Sequence, residues 1–323
     1  MAGGTTTPAL VAAAAKAGAL GSFGFAYAQP EAMQRDVEAV RALTDAPINL
    51  NFFVNAQPAP IPPESQRGAI EAITGYYQAL GLPAPAPVRT PYAPDLNAQL
   101  AMAEDIKPAV LTFHLNDLPA DRLKRLRARG IKTGGSATCV AEALHLEALG
   151  VDFIIAQGGE AGGHRGTFQR NPYEAMTGTL ALTRLIVRAV NIPVVAAGGI
   201  MDGAGIAAVL ALGAQGAQLG TAFIPCTESG SPPIHKQSLL AARDDVRLFA
   251  MFLDDYHTRL GNSMSIREKL ATFVAGLDSR DMVALMYPHE SKRKWVKCEL
   301  CGYCEAEKES GQGLQPPARS MRH

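Results

Sequence analysis

The chain has 323 residues, of which 47% are hydrophobic, enough for one large α/β barrel or two smaller domains. Lysine and arginine together number 30, and aspartate and glutamate also number 30, so the formal net charge is zero. A neutral chain gives no indication of nucleic-acid binding or of attraction to an anionic membrane surface. No apolar run reaches the length that spans a bilayer. These features leave a small molecule as the expected partner.

Cysteine usage and the N-terminal segment favour a cytoplasmic location. The five cysteines are an odd number in a long chain and do not form a disulfide framework, which favours a reducing compartment. Residues 9–20, followed by Ala-Tyr-Ala at 26–28, superficially resemble a secretory leader with its cleavage site. No basic segment precedes these apolar residues and Lys16 interrupts them, so we do not expect secretion.

Helix-like and strand-like patterns alternate along most of the chain. Helical patterns cover residues 8–17, 30–43, 63–80, 120–129, 140–149 and 203–212. Strand patterns cover residues 20–25, 48–54, 110–115, 131–134, 151–157, 194–197 and 217–220. Thr138 is placed to cap the helix at 140–149 and Gly150 to end it. The proline-rich residues 56–95 are predicted as an extended loop around the helix at 63–80.

The alternation predicts right-handed crossovers and a parallel sheet. Seven strands are recognisable, and residues 1–4 lie where an eighth would end. We therefore predict an α/β fold, a (β/α)8 TIM barrel with its first strand largely missing. A doubly wound sheet competes with this fold, but it places its glycine fingerprint in the first βα turn, whereas the glycine turns here come late. A missing strand exposes two sheet edges, so either another segment covers them or the start is misplaced; we favour a misplaced start.

The stretch at 151–168 joins a buried strand to a glycine-rich loop. Apolar residues lead to Gln157, after which glycines at 158, 159, 162, 163 and 166 lie among Glu160, His164 and Arg165. Glycines allow positive φ and bring backbone N–H groups close to a flat or anionic ligand. A titratable imidazole above such a floor suits a general base beside a bound cofactor. Alternatively, His164 is a solvated loop histidine without a catalytic role. The surrounding glycines favour the role of general base.

Two later glycine turns and a pair of asparagines indicate the rest of a ligand site. Gly198 and Gly199 end the penultimate strand, and residues 218–221 end the last one. In barrels the loops after the seventh and eighth strands form a phosphate site. Alternatively, Gly198 and Gly199 only permit a tight turn into the following helix. Asn49 and Asn51 share one face of a buried strand and need polar partners, of which a ligand is one candidate. The expected ligand is a phosphorylated planar cofactor.

These motifs resemble the FMN-dependent nitronate monooxygenases, also called 2-nitropropane dioxygenases. The matching segments lie within residues 1–243 and read MAGGTTTPALVAAAAKAGALGSFG, INLNFFV, AQGGEAGGHRGTF, PVVAAGGI and GAQGAQLGTAF. The resemblance implies a TIM barrel that holds FMN non-covalently at the carboxyl ends of its strands. It implies that His164 is the catalytic histidine and that no metal takes part. The flavin contacts that it implies are Asn51, Gln157, Gly162, Gly199, Gln218, Leu219, Gly220 and Thr221.

The same resemblance implies a reaction. An alkyl nitronate such as propionate 3-nitronate would lie over the flavin, transfer one electron to it, and combine with dioxygen to give a carbonyl compound and nitrite. For a neutral nitroalkane, His164 would first remove the α-proton. Glu160 either orients His164 or answers the charge of Arg165, and its spacing in the sequence leaves both roles open.

Two other functions compete with this one. The first keeps the barrel and FMN but uses a nicotinamide to reduce a quinone or an enoyl thioester. His164 favours nitronate chemistry, because an enzyme of hydride transfer does not require a base at that position. The second is a truncated barrel without catalysis, which either binds a phosphorylated ligand or is the defective product of a truncated reading frame.

The predicted organisation has three parts. They are the FMN-binding barrel at 1–225, a helical cap segment over the barrel mouth at 226–290, and a charged tail at 291–323. The tail carries Cys298, Cys301 and Cys304 in a CxxCxxC array. This spacing suits thiolate ligation of a metal, with His289 or His323 as a fourth ligand, but no second CxxC pair accompanies it. An exposed tail without metal is the favoured interpretation.

Overall fold

Seven parallel strands form the centre of the molecule. The computed structural model describes residues 3–54, 61–88, 91 and 93–242, together with the backbone of residues 294–298 and 302–306. The strands pair strictly in chain order, every neighbour parallel. They are β1 (Gly21–Gly24), β2 (Ile48–Phe53), β3 (Val110–His114), β4 (Lys132–Ala137), β5 (Phe153–Gln157), β6 (Val194–Ala197) and β7 (Gly216–Gln218). This order is that of a TIM-type barrel and contradicts the doubly wound alternative, in which the order reverses.

Helices connect the strands as predicted. They are α1 (Pro8–Lys16), α2 (Pro30–Arg41), α3 (Pro63–Ala79), α4 (Leu96–Ile106), α5 (Ala120–Ala128), α6 (Val140–Leu149), α7 (Thr179–Ala189), α8 (Gly203–Ala211) and α9 (Pro233–Ala241), with a short 3-10 turn at Thr221–Phe223. The sequence patterns did not predict α4 and α7. The end of α4 has no glycine to mark it in the sequence, because Lys107 adopts the left-handed conformation that glycine usually supplies there. In the part of the chain that the structure describes, no helix is long and apolar enough to cross a membrane.

The start of α6 corrects one prediction. Thr138 does not cap this helix, because Cys139 occupies the N-cap position without a side-chain hydrogen bond. Instead, the N–H and hydroxyl of Thr138 both donate to the carboxylate of Glu142, at 2.7 and 2.8 Å. Glu142 lies in the first helical turn, where its carboxylate reaches back to the preceding residues, as in half of a capping box. The predicted end of the helix is confirmed, since Gly150 is left-handed there with φ of 90°.

The two faces of the strands differ in polarity. Alternate residues such as Leu50, Phe52 and Phe113 are fully buried in the main core beneath the helices. The opposite face carries polar residues, including Asn49 and Asn51 of β2. Both asparagines donate a hydrogen bond of 2.9 Å to Oγ1 of Thr112 on β3, so a neighbouring strand supplies the polar partner that their burial requires, and Asn49 also donates to Ser22.

The N-terminal residues meet the segment that follows β7. The N–H of Gly230 donates to the Thr5 carbonyl at 3.0 Å, and the Thr7 hydroxyl donates to the Glu228 carbonyl at 2.5 Å. Lys236 of α9 braces this segment by donating to the Cys226 and Ser229 carbonyls, both at 2.7 Å. We call these contacts between residues 5–7 and 226–231 the seam. Among the described residues β1 and β7 remain the edges of the sheet, and the seam links the chain segments beside them.

The C-terminal region is described only in part. Of the predicted cap at 226–290, the structure describes residues up to 242, which contain α9. In the predicted tail, β8 (Lys294–Cys298) and β9 (Gly302–Ala306) form an antiparallel hairpin that the sequence did not indicate. Cys298 and Cys304 lie on this hairpin, whereas Cys301, His289 and His323 lie outside the described residues. The described residues therefore do not test whether these cysteines bind a metal.

Candidate active site

The loop after β5 carries His164 to the mouth of the barrel. We call residues 158–169 the glycine loop. The imidazole of His164 packs edge-on against the ring of Phe53 at the end of β2, with 4.9 Å between ring centroids. The ring of Phe53 lies 5.7 Å from that of His114 at the end of β3. The strand ends of β2, β3 and β5 therefore converge on one partly buried imidazole, as the barrel architecture predicts for a site at the carboxyl ends of strands.

Gln157 and His114 both contact the backbone of the glycine loop. The Gln157 amide donates to the His164 carbonyl at 2.8 Å, and its oxygen accepts the N–H of Gly166 at 2.7 Å. Nε2 of His114 lies 3.0 Å from the same His164 carbonyl. Because a carbonyl oxygen only accepts hydrogen bonds, Nε2 of His114 carries the proton in this contact.

The protonation of His114 follows from its surroundings. Burial lowers the pKa of His114 to about 4, and the charges of His164 and Arg165 act in the same direction. The hydrogen bond with the His164 backbone and the charge of Glu142 raise the pKa, but they do not outweigh burial. At neutral pH the His114 ring is therefore uncharged, and it adds no second cation beside His164.

Two carboxylates, one of them fully buried, attach the glycine loop to the helices. Glu142 of α6 is fully buried and accepts hydrogen bonds from the Thr167 hydroxyl at 2.7 Å and from the N–H groups of Phe168 and Gln169 at 2.8 and 3.0 Å. Burial alone would raise the pKa of Glu142, but its hydrogen bonds outweigh burial and lower it. At neutral pH Glu142 is thus an anion that fixes the C-terminal end of the loop.

Glu160 holds the first half of the same loop. Its carboxylate accepts the N–H and the hydroxyl of Thr179 at 2.7 and 2.8 Å, at the first residue of α7. The helix thus receives its cap from a distant segment, and the charge of Arg165 also acts on Glu160. Arg165 in turn donates to the Gly158 carbonyl at 2.5 Å and to the Gln157 carbonyl. These contacts give Glu160 a capping role at α7 and do not decide between the two roles that the sequence left open.

The glycines of the loop serve mainly close packing. Gly163 alone among the five has a positive φ, of 80°. At Gly158 an added Cβ would lie 1.9 Å from Oγ1 and 2.4 Å from Cα of Thr179. At Gly166 it would lie 2.3 Å from Cε1 of His114. The loop therefore needs glycine at 158 and 166 because neighbouring groups occupy the space of a side chain.

The loops that carry several of the predicted flavin-binding residues contact one another. A Cβ at Gly162 would lie 3.8 Å from Oγ1 of Thr221, and one at Gly199 would lie 3.1 Å from Cβ of Glu160, so the loops after β5, β6 and β7 touch one another. Gly162, Gly199, Gln218 and Thr221 are exposed, Gly220 is half-exposed, and half-buried Asn51 lies within β2, two residues before its end. The loops after β5, β6 and β7 therefore form a glycine-rich surface, which we call the floor, and the loop that contributes Gly162 to it also carries His164.

Two of the predicted flavin-binding side chains have other partners. Leu219 packs into a small hydrophobic cluster with Ala196 and Ile200, so a ligand on the floor reaches its backbone. Both ends of the Gln157 amide already bond to the glycine loop. The sequence analysis missed Glu142 as a site residue, because its loop partners are 25 to 27 positions away. An acidic residue in a helix that follows a glycine-rich strand offers no local signal of such a contact.

The chain matches known proteins along most of its length. The family model described as nitronate monooxygenase matches residues 1–299, which extends past residue 243, where the recognisable motifs end. The nitronate monooxygenase of Paraburkholderia phytofirmans is 40% identical over 288 residues, covering 88% of this chain and 76% of that protein.

Solved structures show the same likeness in three dimensions. A nitroalkane oxidase from Streptomyces ansochromogenes matches with a TM-score of 0.65 and 38% identity, covering 74% of this chain and 68% of that one. FabK from Thermotoga maritima matches with a TM-score of 0.57 and 29% identity, covering 75% of this chain and 62% of that one.

Proposed function

Because the chain belongs to the nitronate monooxygenase family and is therefore an oxidoreductase of that kind, we propose that it oxidises alkyl nitronates such as propionate 3-nitronate with dioxygen, using FMN. The observation that carries the proposal is the position of His164. Its imidazole lies against Phe53, and it is carried by the glycine loop, which forms the floor together with the loops after β6 and β7. An imidazole in this position can act on a small substrate that lies on a flat cofactor.

The floor fits FMN in shape and in chemistry. Gly162 and Gly199 present backbone without side chains. Among the described residues beyond its chain neighbours, the only atom within 4 Å of a Cβ at Gly162 would be Oγ1 of Thr221, so a planar ring can approach closely there. The turns at Gly199 and Gly220 follow β6 and β7, the last two strands of the barrel. In this architecture the loops after the last two strands bind phosphate. We assign Asn51, Gln157, Gly162, Gly199 and residues 218–221 to the cofactor site.

FMN when bound supplies the electron acceptor for the nitronate, and the residues of the chain do the rest. For a neutral nitroalkane, His164 accepts the α-proton, which leaves the nitronate that the reaction consumes. His114 stays neutral and therefore places no positive charge beside His164, the group that accepts the proton. Phe53 covers one side of the imidazole and limits its contact with solvent.

The first experiment is a visible absorbance spectrum of the purified protein, followed by addition of propionate 3-nitronate without oxygen. We expect a flavin spectrum that the nitronate reduces and that oxygen restores, and mass spectrometry of the released cofactor should identify FMN. A matched sample receives NADPH in place of the nitronate.

Two results would contradict the proposal. A flavin that NADPH reduces and the nitronate leaves unchanged would favour the FMN-dependent reductase that the sequence left as an alternative. A protein that retains no flavin after incubation with FMN would favour a barrel without catalysis.

A further inference from the structure

We infer that His114 is a positioning residue: it donates its Nε2 proton to the His164 carbonyl and, together with Gln157, fixes the backbone from which the His164 imidazole reaches the floor. This inference rests on the proposed role of His164 as a base. It gives His114 a task separate from proton transfer and gives Gln157 a task separate from contact with a flavin.

Two donors converge on a single carbonyl. A carbonyl oxygen has two lone pairs, and the contacts from Nε2 of His114 at 3.0 Å and from Gln157 at 2.8 Å can occupy both. The two donors come from different strands, β3 and β5. The peptide that follows His164 is thereby held from two directions, which a loop with so many glycines does not achieve through its own backbone preferences.

The imidazole of His114 is itself held in place. It lies beside the ring of Phe53, and Gly166 comes so close that a Cβ there would lie 2.3 Å from Cε1 and 2.8 Å from Nδ1 of His114. Gly166 is in turn fixed by its hydrogen bond to the Gln157 oxygen. His114, Gln157 and Gly166 thus form a closed set of contacts around the His164 backbone, and the ring of His114 has no room to rotate away from the carbonyl.

Histidine suits this task at the end of β3. Its ring places an N–H within hydrogen-bond distance of the His164 carbonyl. The ring also remains neutral beside Arg165 and His164. A lysine or arginine would add a positive charge close to the proposed base, whereas leucine would fill the space without donating. Glutamine at this position would place an amide N–H near the location of Nε2, which makes it the conservative replacement.

The test compares His114→Leu, which removes the donor, with His114→Gln, which keeps one. His235→Leu on α9 serves as the control, because His235 is half-buried and lies outside the glycine loop. Each variant is measured for bound flavin, for turnover of nitroethane and of preformed ethylnitronate, and for deuterium exchange of the backbone of residues 158–169.

In His114→Leu we expect nitroethane turnover to fall about 10 to 100-fold, while ethylnitronate turnover stays within about twofold, because only the neutral substrate needs the aligned base. The glycine loop should exchange faster in this variant. His114→Gln should recover most of the nitroethane turnover and the slow exchange. His235→Leu should match the unaltered protein in all measurements.

Three results would overturn the inference. They are an equal loss on both substrates, no loss on either, and unchanged exchange of the glycine loop in His114→Leu. If the unaltered protein turns over neither substrate, the proposed function has failed, and deuterium exchange alone then decides whether His114 holds the loop.

Discussion

The carboxylate of Glu142 accepts the backbone N–H of Phe168 at 2.8 Å, across 26 positions of the sequence. It also accepts the N–H of Gln169 and the hydroxyls of Thr138 and Thr167. A single anion therefore joins the start of α6 to the end of the glycine loop. Burial alone would raise the pKa of Glu142, but these hydrogen bonds outweigh burial and lower it, so the ionised form is the one that the fold requires.

Replacement of Glu142 by glutamine should destabilise the protein and the loop together. An amide keeps one acceptor but turns an NH2 group toward N–H donors, so we expect a loss of about 2–4 kcal/mol in the free energy of unfolding. Urea denaturation followed by circular dichroism measures the change. Glu71→Gln on the exposed side of α3 is the control and should stay within about 0.5 kcal/mol. Equal stability of the two variants would show that Glu142 does not fix the loop.

Gly158→Ala should be far more damaging than Gly68→Ala. At Gly158 the new Cβ would meet Cα of Thr179 at 2.4 Å, so the backbone must move, at an expected cost of about 3 kcal/mol. In the described part of the chain, nothing beyond the backbone of α3 itself lies within 4 Å of a Cβ at Gly68, where alanine should stabilise by about 0.5–1 kcal/mol. Thermal unfolding of both variants checks the prediction. A harmless Gly158→Ala would mean that β5 and α7 are less closely packed than described.

His164→Ala should separate the two classes of substrate. We expect it to keep its flavin and to lose about 100 to 10,000-fold in the turnover of neutral nitroalkanes, because no base removes the α-proton. Preformed nitronates should be affected less, since they arrive already deprotonated. Steady-state oxygen consumption with nitroethane and with ethylnitronate measures both. An equal loss on the two substrates would count against the role of His164 as a base.

The low pKa of His114 predicts a specific dependence of stability on pH. The folded protein keeps this ring neutral down to pH about 4, whereas the unfolded chain binds its proton near the ordinary value of 6.5. Stability is therefore fully present above pH 6.5 and decreases as the pH falls toward 4, by on the order of 3 kcal/mol. Urea denaturation at intervals of pH across this window measures the decrease.

His114→Gln is the control for this pH dependence, because it cannot titrate. It should lack the decrease that His114 causes. The pKa of His235 is also lowered by burial, but His235 is present in both proteins and cancels in their difference. Parallel stability curves for the two proteins would show that His114 is not held neutral by the fold.

Local patterns in the sequence were sufficient for the strands and most helices. The apolar run before Gln157 and the glycines after it predicted β5 and a functional loop, and the turns at Gly199 and Gly220 lie beside that loop as expected. These features depend on residues near one another in the chain, where periodicity and turn chemistry are informative.

Contacts between distant residues were not predictable in the same way. α7 lacks a capping residue of its own and takes Glu160 from 19 positions away. The Gln157 amide, expected to face a flavin, bonds to the loop on both sides, and His114 had no motif although it meets the His164 carbonyl. Each of these depends on which strand ends lie side by side, and only the folded sheet determines that.

The seam between residues 5–7 and 226–231 affects how the protein is made. Two of its hydrogen bonds join residues 221 and 226 positions apart, so the loops that they close are nearly as long as the barrel itself. The entropic cost of closing a loop grows with its length, and contacts of this kind form late. During synthesis residues 5–7, ahead of β1, must wait for Ser231 before these contacts can form. In that interval the segments beside the two edge strands are not yet joined, and transiently exposed strand edges favour pairing with other chains.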